Sequence, residues 1–304
     1  MKLLVMPSKQ SNLDCYKDCD GFIVGLKDYC WFMPYELSID ELSSFVSKIK
    51  KDNKEIYISL NKLMYNKDIS LLEEYLLIID KLNIDGIMFE DLAVPRISKS
   101  LNIKTPLIWS SIHLFTNYFT ANYWVSKGVN KGLLSTEINL NDIKEIHNNT
   151  KMSLMMYGYG YIPMFISARS LLSSYFKYIK KDKDSDKYYM YEKITKNSHL
   201  TYEHNDETVI LSSHILNTIK ELPILNKTID YLILSSLNIE EDKFLNIYNN
   251  YIKALNDNDN LDYYEELVNN EYPNNTDKGF LYKETIYRLK NTDKDVDNRV
   301  KNND

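Results

Sequence analysis

Only eight of the 304 residues are glycine, and neither G-x-G-x-x-G nor a P-loop run occurs. A loop that cradles phosphate with closely approaching backbone amides has no sequence to build it. Cysteine is as scarce: Cys15, Cys19 and Cys30 fall in the first tenth of the chain and none follows. An odd number without C-x-x-C fits a reducing compartment better than a disulfide framework. No apolar run reaches bilayer-spanning length, and Met1–Met6 is too short for a signal-peptide core. A cytoplasmic chain with no membrane partner is the expectation. G-x-S-x-G and H-E-x-x-H are missing too, so no familiar hydrolase machinery is recognisable.

What is present suits a large core. The apolar share is 44%, enough for one large α/β domain or two smaller ones. A net charge of −6, from 43 acidic and 37 basic residues, argues against gripping nucleic acid by bulk charge. Lysine outnumbers arginine 33 to 4, with 25 tyrosines and 32 asparagines. Lys, Asn, Ile and Tyr share AT-rich codons, so the tyrosines do not by themselves define a base-stacking surface.

Short apolar runs alternate with amphipathic stretches. Strands are expected at Leu3–Met6, Phe22–Leu26, Ile56–Leu60, Gly86–Phe89, Leu107–Ser110, Gly132–Ser135, Met152–Tyr157 and Tyr231–Leu234. Their nearly continuous apolar character is that of strands covered on both faces. Helix starts are expected at the capping boxes Ser38–Glu41 and Ser70–Glu73, at Asn139, and at Asn238 with Glu241. Eight strands alternating with helices predict an α/β fold of the (β/α)8 TIM-barrel type, with a doubly wound open sheet as the rival.

The rhythm breaks once, between the seventh and eighth strands. That gap holds an expected helix near Leu171–Ile179 and a hairpin of Tyr188–Ile194 with Thr208–Leu211. From Ser167 to Leu200 eight basic residues face four acids, a net of +4, which leaves −10 elsewhere. Such a stretch is either a solvated lysine-rich excursion or a surface facing RNA or a partner. The expected organisation is a barrel over 1–258 with 159–212 inserted, a helical extension over 259–290 and a disordered tail over 291–304.

Function in a parallel barrel gathers beyond the C-terminal ends of its strands. Asn61, Glu90 and Asp91, Ser110, Ser111 and His113 lie there, followed by Thr116 and Asn117, Ser135 to Glu137, and Tyr157 with Gly158. Glu90 and Asp91 point in opposite directions if the strand continues, so at most one faces the mouth. His113 is the single histidine at a strand end, either a general base or a hydrogen-bonded structural group. His199, Glu203 and His204 share a hairpin in which convergence on a metal cannot be assumed, and no metal site is assigned.

Several stretches together resemble the peptidase U32 family. They include Asp20–Tyr29, Asn83–Val94 with its D-G-I strand, and His113–Tyr118 leading through Lys127-Gly128-Val129 to Leu134-Ser135-Thr136-Glu137. Gly160–Phe165, Ser167, Arg169 and Tyr175-Phe176 form a further block. The resemblance runs over roughly residues 2 to 290 and implies a barrel-type fold. It also implies one of two activities: a collagenase-like protease of undefined catalytic type, or prephenate-dependent hydroxylation of the tRNA wobble uridine. Family members of the second kind resemble iron–sulfur proteins with a G-x-x-C-x-x-x-S-G-R-C block. Here that block falls on Gly160–Ser170, with Pro163 and Ser170 at the cysteine positions.

The chain is therefore similar to the short, cysteine-less U32 branch that accompanies a cysteine-bearing paralogue. The expected partners are that paralogue and tRNA, with no cofactor held in this chain. Expected catalytic residues are His113, Glu137 and Asp91. Expected ligand contacts are Asn61, Asn117, Tyr157 and Arg169, whose guanidinium suits a carboxylate or phosphate unless an acid such as Glu137 or Asp91 pairs with it. A U32-type peptidase and a non-enzymatic binding module are the alternatives.

Overall fold

The computed structural model describes residues 1–204 and 207–283. Eight strands, first to eighth in chain order, are Lys2–Met6, Gly21–Leu26, Glu55–Leu60, Gly86–Phe89, Leu107–Ser110, Lys131–Leu133, Ser153–Gly160 and Tyr231–Ser235. Each runs parallel to the next, and Tyr231 of the eighth lies opposite both Met155 and Lys2. The sheet is closed, which decides for the barrel over the open sheet. The expected strands lie at the observed positions to within three residues at either end.

Alternation along the strands supplies two cores. Leu4, Ile23, Tyr57, Met88, Ile108, Leu133, Met155 and Ile233 fill the barrel interior. Their neighbours Leu3, Val5, Phe22, Val24, Ile56 and Ile58 pack outward beneath the helices. The helix Ile39–Lys51 opens as expected, with Ser38 N and Oγ donating to Glu41 Oε2 at 2.9 and 2.7 Å. It buries Leu42, Phe45, Val46 and Ile49, one stripe at helical spacing. Asn139 caps Leu140–Asn149 by accepting from Asn141 N and Asp142 N.

Two predicted helix starts are displaced. Ser70 lies inside the first turn of Ile69–Ile79, because the preceding turn is closed by Asp68 Oδ2, which accepts from Tyr65 N at 2.8 Å. Asn238 does not open Glu241–Asn256; Glu240 precedes that helix. Asn238 adopts a positive φ of 56°, and its Oδ1 accepts from Tyr202 Oη at 2.6 Å. A long-range bond has claimed the side chain that would otherwise cap.

The insertion is a second sheet, ordered Lys187–Tyr191, Ser198–His204, Glu207–Leu211 and Pro163–Ser167, all antiparallel, with helix Leu171–Tyr178 against it. The expected pairing of Tyr188–Ile194 with Thr208–Leu211 is corrected by the intervening strand Ser198–His204. Its polar Thr201 and Glu203 disguise it, yet both are buried. Glu203 is satisfied there by Ser173 N and by the Lys183 ammonium at 2.8 Å. The C-terminal extension is only partly helical. Leu261–Glu271 is followed by Thr276–Asp277, which pairs with Ile215–Asn217, itself antiparallel to the seventh strand. The expected tail at 291–304 lies outside the described residues. Among those residues no helix is long and apolar enough to cross a membrane.

A buried polar knot joins these parts. Tyr251 Oη lies 2.9 Å from Gly158 O and 2.8 Å from Asn217 Oδ1, and it accepts from Thr218 N at 3.0 Å. Tyr251→Phe removes the shared hydroxyl without changing shape, while Thr218 N and Gly158 O stay paired with each other at 3.0 Å. The expected loss is about 0.5–1.5 kcal/mol in urea unfolding; an unchanged midpoint would show that the hydroxyl contributes nothing.

Candidate functional site

The barrel places a polar layer above its apolar interior. Two residues beyond Met6, Tyr57, Met88, Ile108, Leu133 and Ile233 come Ser8, Ser59, Glu90, Ser110, Ser135 and Ser235. The period-two alternation of a strand therefore aims Glu90 inward and turns Asp91 away. Asp91 ties the rim instead: its carboxylate accepts from Met64 N at 2.9 Å and Ala93 N at 2.8 Å, holding the start of Ala93–Leu101.

The mouth is roofed. The underside of the inserted sheet presents Leu200, Tyr202, Val209 and Leu211, which pack with Phe32, Tyr161, Ile166 and Leu237 from the barrel rim and the first inserted strand. Polar ties flank this contact, namely Tyr202 to Asn238 and the Lys62–Glu207 ion pair at 3.3 Å. The space left in the mouth is about 30 Å³, lined by Asn61, Ser110, Ser111, Tyr157 and Pro163 among others. That is room for about one water.

Burial sets the electrostatics beneath the roof. It pushes the Glu90 carboxyl up to about 7; the neighbouring Asp91 charge adds to the rise, and the hydrogen bond from Ile112 N opposes it. Burial likewise pushes Tyr157 up to about 12, with Glu90 contributing. Cys30, packed under the same loops, has its thiol pushed well above the ordinary range by burial, so it is no ready nucleophile.

The larger opening lies outside the roof, a cavity of about 450 Å³ between the sixth-strand loop, the inserted sheet and the C-terminal segment. Its walls include Glu137, Glu192, His199, His214, Asp277 and Lys283. Glu137 Oε1 stands 3.3 Å from His113 Nδ1, and both side chains are over two-fifths exposed. His199 Nδ1 lies 3.1 Å from Leu211 O, and Ser213 Oγ lies 2.9 Å from His214 Nδ1. This size suits a small molecule or a single extruded base. The Ile162–Pro163 wall separates it from the small cavity, since both residues line each.

The structure therefore brings together His113 and Glu137 at the rim and Asn61 and Tyr157 at the small cavity, and leaves Asp91, Asn117 and Arg169 apart from both pairs. Asn61 borders the small cavity, with its Oδ1 held by Trp31 N at 2.9 Å. Asn117 caps Tyr118–Ser126 by accepting from Thr120 N. Tyr157 lies under the roof. Arg169 is exposed and pairs with neither Glu137 nor Asp91. Sequence reasoning selects Asp91 over Glu90, although the two-residue step from Met88 is available to point to Glu90. His214 and Asp277 give no signal, because only the inserted sheet and C-terminal segment bring them to the rim.

Pro163 and Ser170, set at cluster-thiolate positions by the resemblance, stand in an inserted strand and before helix Leu171–Tyr178, and neither side chain offers iron a thiolate. Among the described residues no group of three or more His, Cys, Asp or Glu could hold a metal ion.

A closed (β/α)8 barrel with a roofed mouth and a rim cavity defines the class. The chain belongs to peptidase family U32, whose model matches residues 18–291. Among characterised relatives, tRNA hydroxylation protein P2 of Bacillus subtilis is 27% identical over 305 residues, covering 94% of this chain and 99% of that protein. An uncharacterized protease of Methanocaldococcus jannaschii is 25% identical, covering 93% of this chain and 74% of its own. The tRNA hydroxylation protein P1 of Bacillus subtilis is 22% identical over 138 residues, covering 45% of this chain and 33% of that protein.

Glu90 gives the site a pH signature. A carboxyl raised from 4.5 to about 7 stays protonated in the folded protein after the unfolded chain has released its proton. Folding stability therefore falls as pH rises across that window, by on the order of 3 kcal/mol. Glu90→Gln should remove this fall, so its stability relative to the parent grows between pH 4.5 and pH 8 in urea titrations. A difference constant with pH would contradict the raised carboxyl.

Proposed function

We propose that this protein is a cluster-less subunit in the 5-hydroxylation of the tRNA wobble uridine, acting with a cysteine-bearing U32 paralogue. The observation that carries the reading is the similarity to tRNA hydroxylation protein P2, which spans almost the whole of both chains. The weaker similarity to P1 of the same organism supports a pair of related chains rather than one. In this reading the paralogue holds the iron–sulfur centre and carries the prephenate-dependent chemistry. This chain has no thiolate after Cys30 to offer a cluster. It contributes the rim cavity, where Glu137, backed by His113 behind the wall, and Lys283 provide a proton-transferring couple and a cation beside an RNA base or partner loop. The cytoplasm, where tRNA and reduced thiols both reside, is the expected location.

The peptidase alternative has one contact in its favour, the Ser213 Oγ–His214 Nδ1 approach at 2.9 Å. No carboxylate among the described residues hydrogen-bonds the other nitrogen of His214, so the arrangement lacks the group that orients a catalytic imidazole.

Mass spectrometry of total tRNA from a strain deleted for this chain separates the readings. Loss of wobble 5-hydroxyuridine, restored by the parent gene and at least tenfold less by His113→Ala/Glu137→Ala, is the expected outcome. Unchanged hydroxylation in the deletion strain would remove the proposal.

A further inference from the structure

The body of the protein is the negative part of the molecule, yet the charged residues lining one groove on it are all cations. It lies between helices Ala93–Leu101 and Tyr118–Ser126, on the outer ring of the barrel, and measures about 930 Å³. Arg96, Lys99, Lys104 and Lys127 line it, and no Asp or Glu does. All four are exposed. Arg96 and Lys99, three apart on one helix face, form no ion pair with a described residue. Lys104 Nζ donates to Asn102 Oδ1 at 2.6 Å, a neutral partner. Asp80, which accepts from Lys104 N, Thr105 N and Thr105 Oγ1, offsets part of the Lys104 charge and forms no ion pair with Arg96, Lys99 or Lys127.

The facing helix adds aromatic surface. Tyr123 lines the groove and is 56% exposed, and Lys127 Nζ stands 5.3 Å from its ring centroid. One turn earlier Phe119 is 72% exposed. Large rings left in water beside unpaired cations are the combination that binds a nucleic-acid strand, because phosphates take the charges and bases stack on the rings. An acidic polypeptide would also satisfy the cations, but it gives no reason for two largely exposed rings, Phe119 stacked on Tyr118 and Tyr123 beneath Lys127, on the same helix face.

We propose that this groove docks the phosphate backbone of an RNA strand, away from both the roofed mouth and the rim cavity. The inference rests on the RNA-modifying function proposed above and assigns the surface that holds the substrate. It adds a surface to the expectation that the lysine-rich insertion helps dock RNA.

The test uses the full chain, alone and with its cysteine-bearing paralogue. The probe is a fluorescein-labelled anticodon stem–loop RNA with unmodified uridine at the wobble position, titrated at several salt concentrations. Arg96→Gln/Lys99→Gln/Lys127→Gln should bind about tenfold or more weaker, with the salt dependence reduced by the equivalent of about two to three phosphate contacts. Lys99→Glu alone should weaken binding further than Lys99→Gln. A matched circular dichroism spectrum and thermal midpoint establish that the variants fold. Unchanged affinity and salt slope in the triple variant would overturn the groove proposal. So would loss of the complex with the paralogue while RNA binding persists, since the groove would then be a protein interface. Either result leaves the hydroxylation reading standing if the deletion strain still lacks the modified uridine. If the deletion strain retains it, the reading fails whatever the groove binds.

Discussion

The seating of the inserted sheet on the barrel mouth governs everything else about this molecule. Four apolar side chains, Leu200, Tyr202, Val209 and Leu211, meet the rim, and each buried side chain of this kind contributes about 1.5–3 kcal/mol. Beneath this contact burial holds the Glu90 proton up to about pH 7, and the cavity at the mouth measures about 30 Å³. Ligand-sized space is displaced to the rim, where the insertion and the C-terminal segment together wall a cavity of about 450 Å³. The site is thus built by the additions to the barrel and not by the barrel mouth itself.

The barrel is legible in the sequence because its signal is local. Every parallel strand is a short run such as Phe22–Leu26, covered on both faces, and each keeps its apolar character whatever its neighbours are. Caps at Ser38 and Asn139 are legible for the same reason: acceptor and donor lie within four residues. Asn238 shows where this stops. Its sequence context is that of a helix start, but its side chain is taken by Tyr202, 36 positions away.

The insertion defeats a local reading on similar grounds. Strand Ser198–His204 carries Glu203 at a buried position, and a buried carboxylate is tolerated only because Ser173 and Lys183 arrive from elsewhere. Of the expected site residues, His113 and Glu137 converge because both follow adjacent strands in register. Choosing Asp91 over Glu90 neglects that register, and the structure gives Asp91 a tie between two loops. His214 and Asp277 reach the rim through pairings that no local pattern encodes.

Pro163 and Ser170, which the resemblance sets at cluster-thiolate positions, offer iron no thiolate, and the proposal that another chain completes the chemistry rests on them. Co-expression of the two U32 chains, followed by native mass spectrometry and iron analysis of each, addresses that claim most directly. The predicted result is a stable complex in which the iron and sulfide reside on the cysteine-bearing chain, while this chain purified alone is colourless and iron-free. Stoichiometric iron on this chain alone, or two chains that never associate while hydroxylation proceeds, would contradict it.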